Sequence, residues 1–427
     1  MMSKVRSNEF RRIPFCLHKQ SLVFQAVVAF LLVGLVQAQT YSILHTFECG
    51  PNDGTGPRTG IFRDPQGNLY GTTQGGGLSG CAFGCGIVFK LSPNGDEKVL
   101  YRFLGSLNGQ ADGGVPAGGV VVDKAGNVYG TTAEGGAGCA PDGCGTIFKL
   151  SSQGTETIFH SFLGGTDGQF PVGKLVADDH GNLYGTAAMG GASNGGTVFR
   201  IAANGSAYTV LHSFAFDTEG DSPLGSLIRD KEGNLYGTTQ DGGANGLGLG
   251  TVFKLDPAGT LTLLHIFTGK PDGADPEGGL IEDSAGNLYG TTRDGGGGTG
   301  TNCEIGCGVV FKIDPAGAET VLYTFSGGAD GANPSGSLAL DAAGNLYGTT
   351  FGGGFTDSND CRPEGCGVVF QVSQSGRERV LHTFGESPSD GFSPFDDSVL
   401  VSGRSLYAAT SLGGEARCGT VFEMTAR

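Results

Sequence analysis

The side chains best suited to acid–base catalysis in this sequence are histidines, because an imidazole exchanges protons near neutral pH. Five of the seven histidines occupy one equivalent position in a repeated pattern: His45, His160, His212, His265 and His382. A catalytic histidine needs a nucleophile or an acid held beside it, and the sequence shows no such partner. A residue present in most copies of a repeat is more typical of architecture than of a single active site. We therefore expect no catalytic residue among them.

Two glycine-rich stretches resemble catalytic or nucleotide-binding motifs. Residues 191–195 read G-A-S-N-G, which matches G-x-S-x-G, but that motif requires a strand-to-helix turn. Residues 168–174 read G-x-x-x-x-G-K, but Leu175 follows where a P-loop has Ser or Thr. No window near either stretch has the 3.6-residue apolar period of a helix. The sequence therefore indicates neither a catalytic serine nor a bound nucleotide cofactor.

An Asp-Gly-x-x-Pro segment joins successive copies of the repeat. Its aspartates are Asp53, Asp112, Asp167, Asp272, Asp330 and Asp390, and residues 221–223 (D-S-P) are interpreted as a degenerate copy. The favoured interpretation is a turn in which the aspartate binds its own backbone ahead of glycine. The alternative is an acidic rim that binds Ca²⁺. One carboxylate per copy is a poor ligand set, so no metal site or cofactor is expected, and Ca²⁺ binding stays open as the alternative.

The cysteines indicate disulfide bonds. Of eleven, Cys16 lies in the N-terminal segment and eight form close pairs. The pairs are Cys81/Cys85, Cys139/Cys144, Cys303/Cys307 and Cys361/Cys366. Three or four residues separate the members of a pair and no histidine accompanies them, which is unlike a zinc site. In an exported protein such pairs predict disulfides.

The elements that must position these residues are short β-strands. A tyrosine recurs at intervals of 52 to 60 residues, as Tyr70, Tyr129, Tyr184, Tyr236, Tyr289, Tyr347 and Tyr407. It lies in an N-x-Y sequence in every copy but the last, where Ser405 replaces the asparagine. Each interval contains four segments of β-branched and aromatic residues bounded by Gly, Pro, Asp or Asn. The pattern predicts an all-β protein: a seven-bladed β-propeller of four-stranded antiparallel blades.

The two ends of the repeat array complement each other. Residues 41–47 match the fourth strand of a unit, and residues 418–424 match the third strand of a last unit that lacks its outer strand. We expect the N-terminal strand 41–47 to complete the last blade and close the ring. Antiparallel pairing of these strands would bring Cys49 beside Cys418, which predicts a disulfide that locks the ring.

The N-terminus has the pattern of an export signal. Five basic residues precede or flank the uncharged apolar run 22–35, and small residues before Gln39 suit cleavage there. We expect residues 1–38 to be a signal peptide and residues 39–427 a single propeller domain with no membrane span. Removing the segment's net charge of +4 takes the chain from −16 to −20. Such a charge argues against nucleic acid as a partner.

One face of the predicted propeller carries all the long loops. In an up-and-down blade the tight turns close one face, and the second-to-third loops share the other with the blade-joining loops. The long loops differ between copies, so this long-loop face is the candidate binding surface. Its candidate residues are Asp112, Asp167, Asp272, Asp330, Asp390, Asp360, Arg362 and Glu364. Surface decoration without a ligand is the alternative left open.

The repeated unit resembles a known family. G-N-L-Y-G-T-T, then G-G, G-C-G-T-V-F-K-L and L-H-x-F, with D-G-x-x-P between copies, is similar to the GloVer tandem repeat of bacterial exported proteins described with a choice of C-terminal anchors. The resemblance covers nearly all of the chain from Tyr41 onward and implies a secreted, periplasmic or cell-surface protein, but no activity. The anchored pattern has a sorting tail after the repeats, and we expect no such tail between the last predicted strand and Arg427.

Two functional hypotheses follow. The first is a monomeric, non-enzymatic propeller that binds an extracellular glycan, peptide or protein through its long-loop face. The second is an extracellular hydrolase or lyase that acts on polysaccharide with carboxylates at the channel mouth. The non-enzymatic hypothesis is favoured, because no acid is marked out by its position in the repeat.

Overall fold

A computed structural model describes residues 39–425 except residues 59, 79–80, 82–83, 106–111, 245, 301–302, 304, 357–360, 362 and 396–397. The predicted signal peptide, residues 1–38, lies outside the described residues. The unit that begins at Tyr41 is all-β, and its only described helix is a single 3₁₀ turn, Gly165–Asp167.

Seven four-stranded antiparallel sheets form the blades of a seven-bladed β-propeller, which confirms the predicted fold class. The first strands of blades 1 to 7 are Phe62–Arg63, Val121–Val122, Val176–Ala177, Ile228–Arg229, Ile281–Glu282, Ala339–Leu340 and Leu400–Ser402. The second strands are Leu69–Thr73, Val128–Thr132, Leu183–Ala187, Leu235–Thr239, Leu288–Thr292, Leu346–Thr350 and Ser405–Thr410. The third strands are Ile87–Leu91, Thr146–Leu150, Thr197–Ile201, Thr251–Leu255, Val309–Ile313, Val368–Val372 and Thr420–Thr425. The fourth strands are Glu97–Arg102, Glu156–Ser161, Tyr208–Ser213, Leu261–Ile266, Glu319–Thr324, Glu378–Thr383 and, in blade 7, Tyr41–Thr46.

The ring closes as the complementary ends predict. Tyr41–Thr46 pairs antiparallel with Thr420–Thr425, with Tyr41 opposite Met424 and Thr46 opposite Thr420. The described residues form five disulfide bonds: Cys49–Cys418, Cys81–Cys85, Cys139–Cys144, Cys303–Cys307 and Cys361–Cys366. The first of these joins residues 369 positions apart, beside the strand pair that closes the ring.

Phenylalanine pairs form the core between blades. The phenylalanine after each fourth strand packs edge-to-face on the third-strand phenylalanine of the next blade. The seven pairs, with ring centroids 5.0 to 5.5 Å apart, are Phe47–Phe89, Phe103–Phe148, Phe162–Phe199, Phe214–Phe253, Phe267–Phe311, Phe325–Phe370 and Phe384–Phe422. All fourteen rings are buried. Each pair stabilises the contact by about 0.5–1.5 kcal/mol beyond its buried area, so every blade is held to its neighbour by the same device.

The innermost strands are shorter than the sequence predicts. The segment G-V-V-V-D at residues 119–123 predicts a five-residue strand, but only Val121–Val122 pairs with its neighbour. In blades 4 and 5, one glycine before the first strand approaches the next blade too closely to carry a side chain. A Cβ on Gly225 would lie 2.7 Å from the carbonyl oxygen of Gly278, and one on Gly278 would lie 2.7 Å from that of Gly336. Glycine is required here because the blades converge at the axis.

The tight turn of the G-N-L-Y motif is held by its aspartate. In blade 5, Asp283 Oδ1 accepts the backbone N–H groups of Ala285 and Asn287, at 2.9 and 3.0 Å. Asp283 Oδ2 accepts the Asn287 amide at 2.7 Å and the Tyr289 hydroxyl at 2.9 Å. Burial acts to raise the pKa of Asp283, but these donated hydrogen bonds outweigh it and hold the pKa below its usual value. The repeated Asp, Asn and Tyr are thus parts of one turn.

The opposite face carries the long loops. In every blade the joining loop pairs with the start of the second-to-third loop, as in the antiparallel pair Gly113–Gly114 with Glu134–Gly135 or the bridge between Ala274 and Asp294. As far as residues 39–425 are described, no helix has the length and hydrophobicity to cross a lipid bilayer.

Candidate functional site

Each blade-joining loop adopts one backbone shape. The residue before its proline is left-handed in every blade: Gly56, Val115, Phe170, Ser222, Asp275, Asn333 and Ser393. Val115 has φ 52°, which is rare for a β-branched residue and costs energy. Hydrogen bonds hold it there, because its N–H donates to Cys85 O at 2.9 Å and its carbonyl accepts from Ala133 N at 3.0 Å. The strained residue therefore presents its side chain at a defined place on the long-loop face.

The predicted aspartates of these loops are engaged in the joints between blades. Asp112, Asp167, Asp272, Asp330 and Asp390 each accept a hydrogen bond from the histidine or tyrosine near the end of the preceding fourth strand. Asp390, for example, accepts from His382 Nε2 at 3.1 Å and from the N–H groups of Gly385 and Gly391 at 3.0 and 2.8 Å. Each carboxylate lies in its own joint, and the five do not converge on one ligand position.

The blade-6 candidates give less information. Asp360 and Arg362 lie outside the described residues, and Glu364 is exposed in the loop stapled by Cys361–Cys366.

In blade 4 the sequence interpretation of the joining loop is wrong. Glu219, and not Asp221, takes the place of the loop aspartate, because Glu219 Oε2 lies 3.0 Å from His212 Nε2 and accepts Ala215 N–H at 3.1 Å. The Glu219 carboxylate thus contacts both the His212 ring and the Ala215 N–H group, as the loop aspartates contact the equivalent groups in other joints.

An axial cavity of about 150 Å³ lies where the first strands of all seven blades converge. Its wall is formed by glycines and serines, with Lys174 from blade 3, Glu277 from blade 5 and Gln74 from blade 1. The lysine stands where other blades have glycine or serine. Burial lowers the pKa of the Lys174 ammonium group.

Carboxylates cluster beside the cavity in blades 4 and 5. Glu277 Oε1 accepts hydrogen bonds from Arg293 at 2.9 Å and from Gln240 at 3.1 Å, and the glutamate is 8% exposed. Asp275 is hydrogen-bonded to Asp294, which also accepts the Asn333 amide at 3.0 Å. We name Asp241, Asp275, Glu277, Arg293 and Asp294 the carboxylate cluster. It forms because the bridge between Ala274 and Asp294 aligns the two loops.

The electrostatics of the cluster favour bound protons. Burial, the hydrogen bond to Asp294 and the negative charges of Asp294, Asp241 and Glu277 raise the pKa of Asp275 to about 7. Burial also raises the pKa of Glu277, although the Arg293 guanidinium acts in the opposite direction. Asp275 can therefore hold or release a proton near neutral pH.

A second, larger cavity adjoins the mouth between blades 7, 1 and 2. This cleft, of about 680 Å³, is lined by Arg58, Gln74 and Glu134 and by the apolar side chains of Val115 and Leu412. Gln74 also lines the axial cavity, so the two cavities share a wall. Burial and the nearby charge of Asp142 raise the pKa of Glu134.

Aromatic rings flank Arg58. Its guanidinium carbon lies 4.6 Å from the centroid of the Phe395 ring, which packs edge-to-face on Phe351 at 5.4 Å. Stacking on Phe395 restrains the arginine at the edge of the cleft.

A comparison with protein-family models shows which family the chain belongs to. A family model for the Gloeobacter/Verrucomicrobia repeat matches residues 31–248, 78–303 and 301–427. The chain belongs to the Gloeobacter/Verrucomicrobia repeat family. This match confirms the resemblance seen in the repeated unit. No curated protein sequence matches the chain.

Solved structures share the fold of this Gloeobacter/Verrucomicrobia repeat protein at low identity. An oligogalacturonate lyase from Vibrio parahaemolyticus is 11% identical, with a TM-score of 0.52 over 92% of this chain and 94% of the lyase. A GH74 xyloglucanase from Xanthomonas campestris is 15% identical, with a TM-score of 0.56 over 87% of this chain and 52% of the xyloglucanase. This chain thus spans about half of that enzyme. At such identities the similarity establishes the fold alone.

The carboxylate cluster and the cleft of this Gloeobacter/Verrucomicrobia repeat protein were not identified from the sequence. Asp275 and Glu277 follow the repeated Asp-Gly pair, where the other blades have mostly apolar or small residues. The signal in the sequence is the presence of acids at these positions in one copy alone. A comparison of the seven copies would have identified Asp275 and Glu277, because the fold places these positions near the channel mouth in every blade.

Proposed function

We propose that the protein is an exported, non-enzymatic module that binds a glycan in the cleft beside the axial channel. The observation that carries this proposal is the cleft itself: about 680 Å³ on the long-loop face, with Arg58, Gln74 and Glu134 around an apolar wall. A cavity of this size suits a small ligand or a short segment of a larger one.

The lining chemistry suits a sugar. Guanidinium, amide and carboxyl groups provide donors and acceptors for hydroxyl groups, and the side chains of Val115 and Leu412 provide an apolar surface for the C–H face of a ring. Because Arg58 is already stacked on Phe395, less side-chain entropy is lost when a ligand binds.

An extracellular location supports a glycan partner. Disulfide bonds form and persist in oxidising compartments, and the five bonds of this chain are compatible with such a location. The net charge of −16 favours neutral or cationic partners over nucleic acid. We propose a secreted, periplasmic or surface-exposed monomer.

A second candidate function is polysaccharide hydrolysis or lysis at the carboxylate cluster. The raised pKa of Asp275, about 7, favours it, because a general acid must hold its proton at neutral pH. The geometry of the Asp275–Asp294 pair argues against glycoside hydrolysis. These carboxyl groups are hydrogen-bonded to each other, whereas the two carboxyls of a glycosidase are separated by about 5 Å or more.

The test is a glycan array probed with the purified chain and with three variants, Arg58→Gln, Glu134→Gln and Asp294→Asn. We expect binding of the wild-type chain to at least one glycan, loss of that binding in the two cleft variants and retention in Asp294→Asn. The bound glycan, incubated with the wild-type chain and analysed by mass spectrometry, should remain intact. Absence of glycan binding would overturn the proposal in favour of a peptide or protein partner, and new reducing ends or unsaturated products would establish the enzyme.

A further inference from the structure

The joint between blade 7 and blade 1 contains three potential metal ligands. His45 lies in the fourth strand of blade 7, Asp53 in the joining loop and Glu97 at the start of the fourth strand of blade 1. One ligand atom from each lies within 4.8 Å of the other two. We call these three residues the closure triad. It lies in the joint that closes the ring.

Two atoms of the closure triad have no hydrogen-bond partner among the described residues. His45 Nε2 and Glu97 Oε1 are both buried and unpaired, but the glutamate atom does not distinguish this joint, because Glu156 Oε1, Glu319 Oε1 and Glu378 Oε1 are also unpaired at the equivalent position. Buried polar atoms without partners are uncommon, because each loses its bonds to water. The unpaired imidazole nitrogen beside two carboxylates is therefore the feature particular to this joint.

Equivalent joints in the same chain differ at the histidine. His265 Nε2 lies 3.0 Å from Asp272 Oδ2, and His382 Nε2 lies 3.1 Å from Asp390 Oδ2, so both imidazoles are engaged. In the closure triad, His45 Nε2 lies 3.8 Å from Asp53 Oδ1, too far for a hydrogen bond. Two ligands bound to one metal ion are commonly separated by 3 to 4 Å, which follows from metal–ligand bonds of about 2.0–2.2 Å.

We propose that the closure triad binds one divalent transition-metal ion, with His45 Nε2, Asp53 and Glu97 as ligands and water completing the coordination. An imidazole with two carboxylates is a donor set that suits Zn²⁺ and its neighbours and does not suit Ca²⁺, which takes oxygen ligands.

The surroundings hold the ligands in place. The His45 ring packs edge-to-face on Phe47 with centroids 4.7 Å apart. Asp53 accepts the N–H groups of Glu48 and Gly54, each at 2.7 Å, and each carboxylate oxygen keeps a lone pair for a metal. The Arg102 guanidinium, which also acts on Glu97, donates to the carbonyls of Pro51 and Asn52 at 3.3 and 3.0 Å. A bound ion would link the N-terminal strand, the joining loop and blade 1.

The experiment uses the purified chain stripped with EDTA and dialysed. Titration with Co²⁺, followed by visible d–d absorption, should show one equivalent bound, and Zn²⁺ should displace it. The melting temperature should rise with Zn²⁺ and level off at one equivalent, because the ion binds only the folded joint. Ca²⁺ should not compete.

Variants localise the ion. Glu97→Gln and His45→Gln should each weaken Co²⁺ binding at least tenfold, while the matched variant Glu319→Gln, in the joint of His265 and Asp272, should bind Co²⁺ as the wild type does. Equal melting temperatures in EDTA show that the variants are folded. The proposal is overturned if the wild-type chain gives no d–d bands at millimolar Co²⁺, or if Glu319→Gln weakens binding as much as Glu97→Gln.

Discussion

The hydroxyl of Tyr41 donates a hydrogen bond of 2.7 Å to Asp390 Oδ1. This contact ties the first strand of the chain to the joining loop between blades 6 and 7, 349 residues away in sequence. The Tyr41 ring also stacks on His382, with centroids 3.7 Å apart and planes 11° apart. Tyr208 repeats the stacking on His160 at 3.7 Å, but its hydroxyl donates to the backbone carbonyl of Asp167 at 2.7 Å.

Tyr41→Phe should therefore destabilise the protein more than Tyr208→Phe. Both changes keep the stacked ring, but the first removes a hydrogen bond to a charged acceptor, worth about 1.5–3 kcal/mol, and the second removes one to a neutral acceptor, worth about 0.5–1.5 kcal/mol. Chemical unfolding with the disulfides intact measures the difference. If both variants lose the same free energy of unfolding, the hydrogen bond to Asp390 contributes no more to stability than the hydrogen bond to the Asp167 carbonyl.

Stability should fall as pH rises from about 4.5 to 8. Burial and the charge of Asp112 raise the pKa of Glu156 to about 8, and burial with the charge of Asp272 raises that of Glu319 to about 7. Burial and the charge of Asp330 raise that of Glu378 to about 7. A raised pKa favours the neutral acid in the folded state, so this stabilisation is complete below the unfolded pKa of about 4.5 and is lost as pH passes 7 to 8.

Thermal melts at several pH values test this dependence. The triple variant Glu156→Gln, Glu319→Gln, Glu378→Gln keeps the neutral shape of each side chain, and its melting temperature should change less between pH 4.5 and 8 than that of the wild type. A wild-type chain that becomes more stable over this range contradicts the prediction.

The glycine of the L-Y-G-T-T motif should not accept a side chain in blade 5. A Cβ on Gly290 would lie 2.6 Å from the Phe311 ring, which is fully buried. We expect Gly290→Ala to cost about 1–3 kcal/mol, because a rigid aromatic core must shift. Blade 7 has Ala408 at the equivalent position opposite Phe422, so its joint already accommodates the methyl group. Ala408→Gly is the control, and urea unfolding should show a smaller loss for it than for Gly290→Ala.

Removing the closing disulfide should cost more than removing a loop disulfide. Cys49–Cys418 spans 369 residues, and Cys303–Cys307 spans four. In the chain-entropy model the longer loop constrains the unfolded chain more, and loss of a native disulfide costs about 2–5 kcal/mol. We expect Cys49→Ser/Cys418→Ser to unfold at a lower denaturant concentration than Cys303→Ser/Cys307→Ser. The reverse order would mean that the strand pair closes the ring without help from the covalent bond.

The sequence by itself determined the fold of this protein. Seven copies of a four-strand pattern, with a spare fourth strand at residues 41–47 and a last unit lacking one, permit closure into a ring. The period-2 patterns and turn residues act locally, so they can be recognised without tertiary information. The repetition also predicted an architectural role for the histidines, and the structure places four of the five against the acid of a joining loop.

Only the tertiary structure decided where ligand-binding chemistry can occur. The carboxylate cluster combines Asp241 from one blade with Asp275 and Asp294 from the next, and the cleft combines Arg58 with Glu134 and Leu412 from three blades. The closure triad joins His45 to Glu97 across the ring closure. These contacts depend on how far the blades tilt and approach one another. The packing of side chains between blades determines that approach, and a repeat pattern does not encode it.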